Sequence, residues 1–170
     1  MRVVIQRVTS ASVTVNETVV GNIGKGLLVL VGIERRDDEE DVAWLCKKII
    51  NIRLFNSMDG KKYWSESIGS LGLDVLLVSQ FTLHANMKKT KPDFHRALQP
   101  DLAKSLFEKF VSTMKETHGE SRVHTGLFGE MMSVSLLNDG PVTVTLDSKN
   151  RADAYPDELM PSKNVEPDEQ

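Results

Sequence analysis

Cysteine is nearly absent from this chain of 170 residues. The single Cys46 excludes an intrachain disulfide framework and leaves too few thiolates for a cysteine zinc site. It lies in the amphipathic stretch WLCKKII, where it reads as a small apolar residue on a helix rather than a nucleophile. Long hydrophobic runs are missing too: none approaches the ~20 apolar residues that a membrane-spanning helix needs. The first residues, MRVVIQRVTSASV, contain no long apolar segment of the signal-peptide kind and turn at once to strand-like alternation. A reducing, cytoplasmic home with no membrane partner is the expectation. The four histidines, His84, His95, His118 and His124, are scattered without metal-ligand spacing, so no metal site is expected and each reads as a surface or loop residue.

What is present fits a globular domain, with 40% hydrophobic and 26% charged residues. The net charge of −3 is unevenly placed. Residues 151–170 hold two basic against six acidic side chains, a balance of −4, which leaves +1 on the first 150. Such a near-neutral body is compatible with nucleic-acid binding through a local basic patch. The expected organisation is one domain over residues 1–148, followed by an acidic, disordered tail over 149–170 that lacks core-forming residues.

Residues 2–15 alternate apolar and polar side chains and predict one long strand or two. A turn at Glu17 and Thr18 then leads into a second strand. LLVLVGI suits a strand buried on both faces. Asp37 to Asp41 supply an acidic helix start, with Val42, Leu45, Ile49 and Ile52 at helical spacing behind it. The turn-rich NSMDGKKYWSESIGSLG predicts an irregular connection or small hairpin before VLLVSQFTL begins another strand. Residues 84–100 read as a loop. Leu102, Leu106, Phe110 and Met114 mark a second helix over about 101–117. MMSVSLLNDGPVTVTL predicts two strands joined by a turn at Asn138 to Pro141. Trp44, Trp64, Phe55 and Met131 are expected in the core. The fold class expected is α+β, a β-rich domain with two main helices packed on the sheets.

Two segments place small or hydroxylated residues where buried strands end: Ser79-Gln80-Phe81-Thr82 and Asn138-Asp139-Gly140-Pro141-Val142-Thr143. Backbone amides at such places can meet a substrate from a rigid support. Taken separately, each also reads as plain structure, a strand running on to Leu83 and an ordinary turn.

In combination they are more specific. VSQFTL, NDGPVT, the opening QRVTSASVTV, GLLVLVGI and KPDFHRAL together resemble the D-aminoacyl-tRNA deacylase family, from Met1 to about Leu146. The resemblance implies a homodimer whose active site lies between subunits, with Ser79, Gln80, Phe81 and Thr82 of one facing Gly140 and Pro141 of the other across a cis Gly-Pro bond. It also implies that Arg7 fixes that motif, and that Phe94, Ala103, Phe128 and Met132 flank the pocket. The substrate would be aminoacyl-tRNA, with no cofactor required.

Hydrolysing the aminoacyl ester needs an attacking water and a stabilised oxyanion. Thr82 is a candidate nucleophile, but neither motif offers it a histidine base. The family reading instead has amides near Phe81 and Thr82 polarise the carbonyl while the terminal 2′-hydroxyl helps activate water. Backbone carbonyls at Gly140 and Pro141 would collide with an L side chain, admit a D one, and leave glycine acceptable. Lys88, Lys89, Lys91 and Arg96, opposed locally by Asp93, are candidates for acceptor-stem phosphates or a solvated loop. Glu130 departs from the family's usual small residue, and either points outward or alters the rim. A nucleic-acid binding module without hydrolysis and an editing enzyme for L-amino acids are the competing functions.

Overall fold

The computed structural model of the chain describes residues 1–88 and 90–151, so Lys89 and the expected tail beyond residue 151 lie outside the described residues. Strand β1 (Arg2–Val15) is the spine of the sheet. It turns through Asn16 and Glu17, both at positive φ, into the antiparallel β2 (Thr18–Ile23), so the turn sits one residue earlier than expected. Two consecutive left-handed residues are what a tight hairpin requires to match the twist of its strands. Strand β3 (Gly26–Gly32) returns antiparallel to the first half of β1. Then β4 (Asp74–Ser79) and β5 (Val123–Thr125) add on in parallel, while β6 (Ser133–Asp147) takes the other side of β1 along nearly its whole length.

Side-chain alternation on β3 and β4 divides the core. Leu27, Val29, Val31, Val75 and Leu77, joined by Val3 and Ile5, face the helices α1 (Glu39–Asn51) and α3 (Pro100–His118). Leu28, Leu76 and Val78 face the other way and are covered by Val8, Ala11, Val13 and Val15 of β1 with Ile23 of β2. β3 is therefore buried on both faces, as its unbroken apolar run predicts. The sheet is nearly closed, with β2 lying against β4 and β5.

α1 starts where its acidic run predicts. Asp38 caps it by accepting from the amides of Glu40 and Asp41, and Asp41 returns the bond to the Asp38 amide at 3.1 Å. Cys46 is buried in this helix, and burial pushes its thiol up to about 12, which leaves it protonated and unreactive. α3 opens on Pro100 and buries Ala103, Phe107, Phe110 and Met114. Leu102, expected in that stripe, is 59% exposed. A strict four-residue step overshoots a helical turn by about 40°, so the series from Leu102 drifts off the face that spacings of four and three maintain.

The turn-rich stretch closes on itself through a bridge between Phe55 and Glu66 and then forms a one-turn helix, α2 (Ile68–Leu71), capped by Ser67. Phe55 is buried and Trp44 partly so, but Trp64 is 55% exposed at φ +55 and Met131 lies almost wholly in solvent. The left-handed backbone at Trp64 turns its indole out toward Arg7, whose guanidinium lies 5.9 Å from the ring.

The largest departure from expectation is β6. There is no turn at Asn138 to Pro141 and no pair of strands: one strand runs through. Gln6 pairs with Thr143 and Val8 with Asn138, so the four residues 139–142 stand opposite Arg7 alone. Both halves find partners on the same long β1, and the surplus residues are absorbed as a bulge. Beyond β6, Lys149 and Arg151 reach Asp41, the latter at 2.9 Å, and Ser148 donates to the carbonyl of Met1 at 2.8 Å. The first three residues of the expected tail are thus tied to the body.

Candidate active site

β4 does not continue to Leu83. It ends at Ser79, the Gln80 amide donates to the Val31 carbonyl at 2.8 Å, and the chain enters a 3-10 turn, Phe81–His84. Leu83 is the first residue to bond back, to the Gln80 carbonyl at 3.2 Å. The amides of Phe81 and Thr82 precede that bond, and opening amides of a helical turn have no partner within it. Gly32 makes room for the turn. A Cβ added there would sit 2.8 Å from the Leu83 Cβ and 3.1 Å from both the Gln80 carbonyl oxygen and the His84 ring. Arg2 donates to the Leu83 carbonyl at 2.9 Å while also pairing with Asp147. Phe81 remains 57% exposed and meets Phe94 edge-on, ring centroids 5.0 Å apart.

The second motif is the bulge in β6. Its Gly140-Pro141 bond is cis, as the resemblance implies. Gly140 has φ +125, and an added Cβ would meet Val142 at 3.0 Å and the Arg7 guanidinium at 3.1 Å, so only glycine fits. Arg7 holds the segment in place. Its Nε donates to the Asp139 carbonyl at 3.1 Å and lies 3.2 Å from the Asp139 carboxylate, while Nη1 donates to the Leu54 carbonyl. The guanidinium also lies 5.8 Å from the Phe55 ring. A cavity of about 450 Å³ opens beside it, lined by Arg7, Lys25, Phe55, Asn56, Leu73 and Asp139 among others.

The remaining expected residues are spread around these two segments. Phe94 joins Phe81 directly. Ala103, buried in the first turn of α3, lies one turn before Phe107, whose ring packs 5.7 Å from Phe128. Met132 does not join this group: it packs beside Gly126 in the second core cluster. Lys88 and Lys91 are exposed on a loop closed by a bridge between Asn86 and Asp93, and Arg96 is exposed three residues beyond it. Glu130 is exposed on the segment before β6.

Within one chain the two motifs stay apart. Ser79 pairs with Val31 and through it with Val3, whereas Arg7, beside the bulge, pairs with Leu27 and through it with Val75. That is four residues along the strands, about 13 Å at the usual rise, before the width of the intervening strand is added.

The chemistry available at the turn is that of hydrogen-bond donors. Thr82 Oγ accepts from the Gln80 side-chain amide, a group that cannot take up a proton, so the hydroxyl has no base beside it. Sequence reasoning missed Arg2, which bonds the turn at Leu83, and Lys25, which lines the cavity beside Arg7. Their signals were too weak to separate from surface charge, because each acts through a partner far away in sequence. His84, expected at the surface or in a loop, lies in this turn and is 5% exposed. Burial, the largest influence, lowers its pKa, the neighbouring Arg2 charge acts the same way, and a backbone contact with Gly32 opposes both.

A family model described as D-Tyr-tRNA(Tyr) deacylase matches residues 4–147. The chain is 50% identical over 152 residues to a D-aminoacyl-tRNA deacylase of Christiangramia forsetii, covering 89% of this chain and 99% of that one. It is 43% identical over 151 residues to the Dictyostelium discoideum protein of the same name, covering 89% and 100%. Among solved structures, one titled c-Myc DNA Unwinding Element Binding Protein superposes with a TM-score of 0.83 at 39% identity, covering 86% of this chain and 98% of that one.

Proposed function

The chain belongs to the D-Tyr-tRNA(Tyr) deacylase family and is a D-aminoacyl-tRNA deacylase, and from that premise we propose that its site is completed between two copies, with the Ser79 to Thr82 turn of one meeting the Gly140-Pro141 bulge of the other. The observation that carries this reading is the separation of the two segments in a single chain, four residues apart in register. Two features support it. β6 leaves one edge of a 15-residue strand without a strand partner among the described residues, an edge of the kind that proteins cover or pair. Exposed Phe81, Leu136 and Leu137 add apolar surface near the two segments.

In this reading the ester carbonyl accepts from amides of the Phe81 and Thr82 region. Water, aided by the terminal 2′-hydroxyl, attacks the carbonyl carbon, the bond to the 3′-oxygen breaks, and that oxygen takes up a proton as tRNA leaves. Positioning and preorganised dipoles supply the rate. The partner's Gly140 and Pro141 carbonyls bar an L side chain and leave glycine acceptable, so glycyl-tRNA is a second substrate. Lys88, Lys89, Lys91 and Arg96 meet the acceptor-stem phosphates.

The test is deacylation of D-tyrosyl-, L-tyrosyl- and glycyl-tRNA in EDTA, with sedimentation at the same protein concentrations. Loss of the D and glycyl esters alone, from a dimer, is expected. Hydrolysis of the L ester would sink the exclusion mechanism, and full activity in a monomer would sink the shared site.

A further inference from the structure

Glu34, just after β3, is a carboxylate buried to 5% exposure, and three basic side chains converge on it. Its Oε1 accepts from the Nη2 and Nε of Arg36 at 3.0 and 3.2 Å. Its Oε2 stands 3.5 Å from the Arg96 guanidinium and 3.8 Å from His84 Nδ1. These last two come from different places. Arg96 belongs to the basic loop, and His84 is the final residue of the turn that carries Phe81 and Thr82. The backbone repeats the connection: Arg35 donates to the Arg96 carbonyl at 3.1 Å, Leu98 donates to Ile33 at 3.0 Å, and Glu34 bridges Ala97.

A buried carboxylate is retained only where its surroundings supply compensating charge and hydrogen bonds. Here the closest compensation is Arg36, two residues on, a further part comes from the loop through Arg96, and the His84 ring of the turn faces the same carboxylate at 3.8 Å, so a shift of loop or turn alters the setting of the carboxylate between them. His84 Nε2 is itself buried without a hydrogen-bond partner, and the other ring nitrogen faces Glu34 Oε2. With its side chain only 3% exposed, His84 cannot touch a substrate. Its contribution is to where the turn sits.

We propose that Glu34 is a positioning residue for deacylation, coupling the basic loop, through Arg96, to the amide-bearing turn, through His84. The proposal rests on reading that turn as the reaction site. It assigns Arg96 a second role: besides meeting phosphate, it keeps Glu34, and hence the turn, in register. A loop that merely attracts RNA would have no such influence on chemistry some distance away.

A short substrate separates the two roles. The D-tyrosyl ester of adenosine carries the reacting group but no acceptor stem, so it cannot reach the loop. Its hydrolysis, and that of D-tyrosyl-tRNA, is measured for the unaltered protein, Arg96→Gln, Glu34→Gln and the double variant, with amide hydrogen exchange over residues 80–85 followed in parallel. Coupling energies between linked groups of this kind correspond to fivefold effects or more. Arg96→Gln is therefore expected to slow turnover of the short ester by about fivefold and to speed exchange in the turn, and both effects should shrink below about twofold once Glu34 is glutamine. Slowing of the tRNA ester alone, with the short ester and the exchange unchanged, would overturn the proposal. If the unaltered protein hydrolyses neither ester, the site reading fails, and the exchange data decide the coupling by themselves: faster exchange in Arg96→Gln that depends on Glu34 sustains it, and unchanged exchange rejects it.

Discussion

The Ser79 to His84 turn and the Gly140-Pro141 bulge are the two halves of the candidate site, and they are held in opposite ways. The turn is fixed many times over: by the amide of Gln80 on Val31, by Arg2 on the Leu83 carbonyl, by close packing on Gly32 and by burial of His84. The bulge, with Gly140 and Pro141 exposed, is held by one guanidinium between its flanking pairs with β1. Under the proposed mechanism, redundant backbone support suits amides that must stay aimed at a carbonyl, while a fork-shaped side chain suffices for a rim whose task is to exclude.

The sharpest way to break this contrast is at Arg7. Lysine keeps the charge but cannot bond Asp139 and Leu54 together, so Arg7→Lys is expected to lower kcat/KM on D-tyrosyl-tRNA by about a hundredfold, the usual scale for a site displaced by an ångström, and to relax rejection of L-tyrosyl-tRNA. An equal loss for both enantiomers would assign Arg7 to the fold alone. Next is Gly32→Ala. The added methyl presses on Leu83, Gln80 and His84, and a drop of about tenfold in kcat at little change in KM should follow, with a cost of about 1–3 kcal/mol in thermal stability.

Much of the fold was legible in the sequence, because it rests on local signals. The acidic start of α1, the apolar run of β3 and the alternation in β1 each depend on neighbours within a few residues. What was misread depends on distant ones. Nothing local tells a bulge from a hairpin at Asn138 to Pro141: the difference lies in whether both flanking halves pair with the same strand, 130 residues earlier. The burial of His84 follows likewise from Gly32 and Glu34, and the exposure of Trp64 from a left-handed backbone that tryptophan rarely adopts. The candidate site was found through its two motifs. Arg2, which bonds the turn, and Lys25, which lines the cavity, carry no motif.

Two acid-side measurements sharpen the comparison further. Burial holds the His84 pKa below 6.5, an effect that Arg2 reinforces and the Gly32 backbone, Asp37 and Glu34 oppose. Below pH 6.5 the unfolded chain therefore binds more protons than the folded one, and stability must fall as pH drops through that range. His84→Gln should flatten this limb in urea titrations between about pH 5 and 7; an unchanged slope would assign it to other groups. Asp41 behaves oppositely. Burial would raise its pKa, but bonds from Lys149, Ser148 and Arg151 outweigh that and hold it well below the ordinary carboxylate range. Its stabilisation is complete above 3.8, the ordinary aspartate value, and is lost as pH falls further, so Asp41→Asn should lower stability at neutral pH and weaken the acid transition. The smallest effect is reserved for Thr82→Ala. With only the Gln80 amide beside its hydroxyl, turnover should fall by less than about tenfold, where loss of a nucleophile or base costs a hundredfold or more.

The pairing of β1 with β6 joins the first strand of the described chain to its last, and this governs when the site can exist during synthesis. Contacts so distant in sequence form late and slowly, after the local hairpin and helices have condensed. Until the ribosome has released the final strand, Arg7 has no Asp139 to hold, and the inner sheet exposes an apolar spine with a free edge. The Gly140-Pro141 bulge is therefore among the last features of the described chain to be assembled, and the Arg2 that bonds the Leu83 carbonyl gains its Asp147 partner only at that stage.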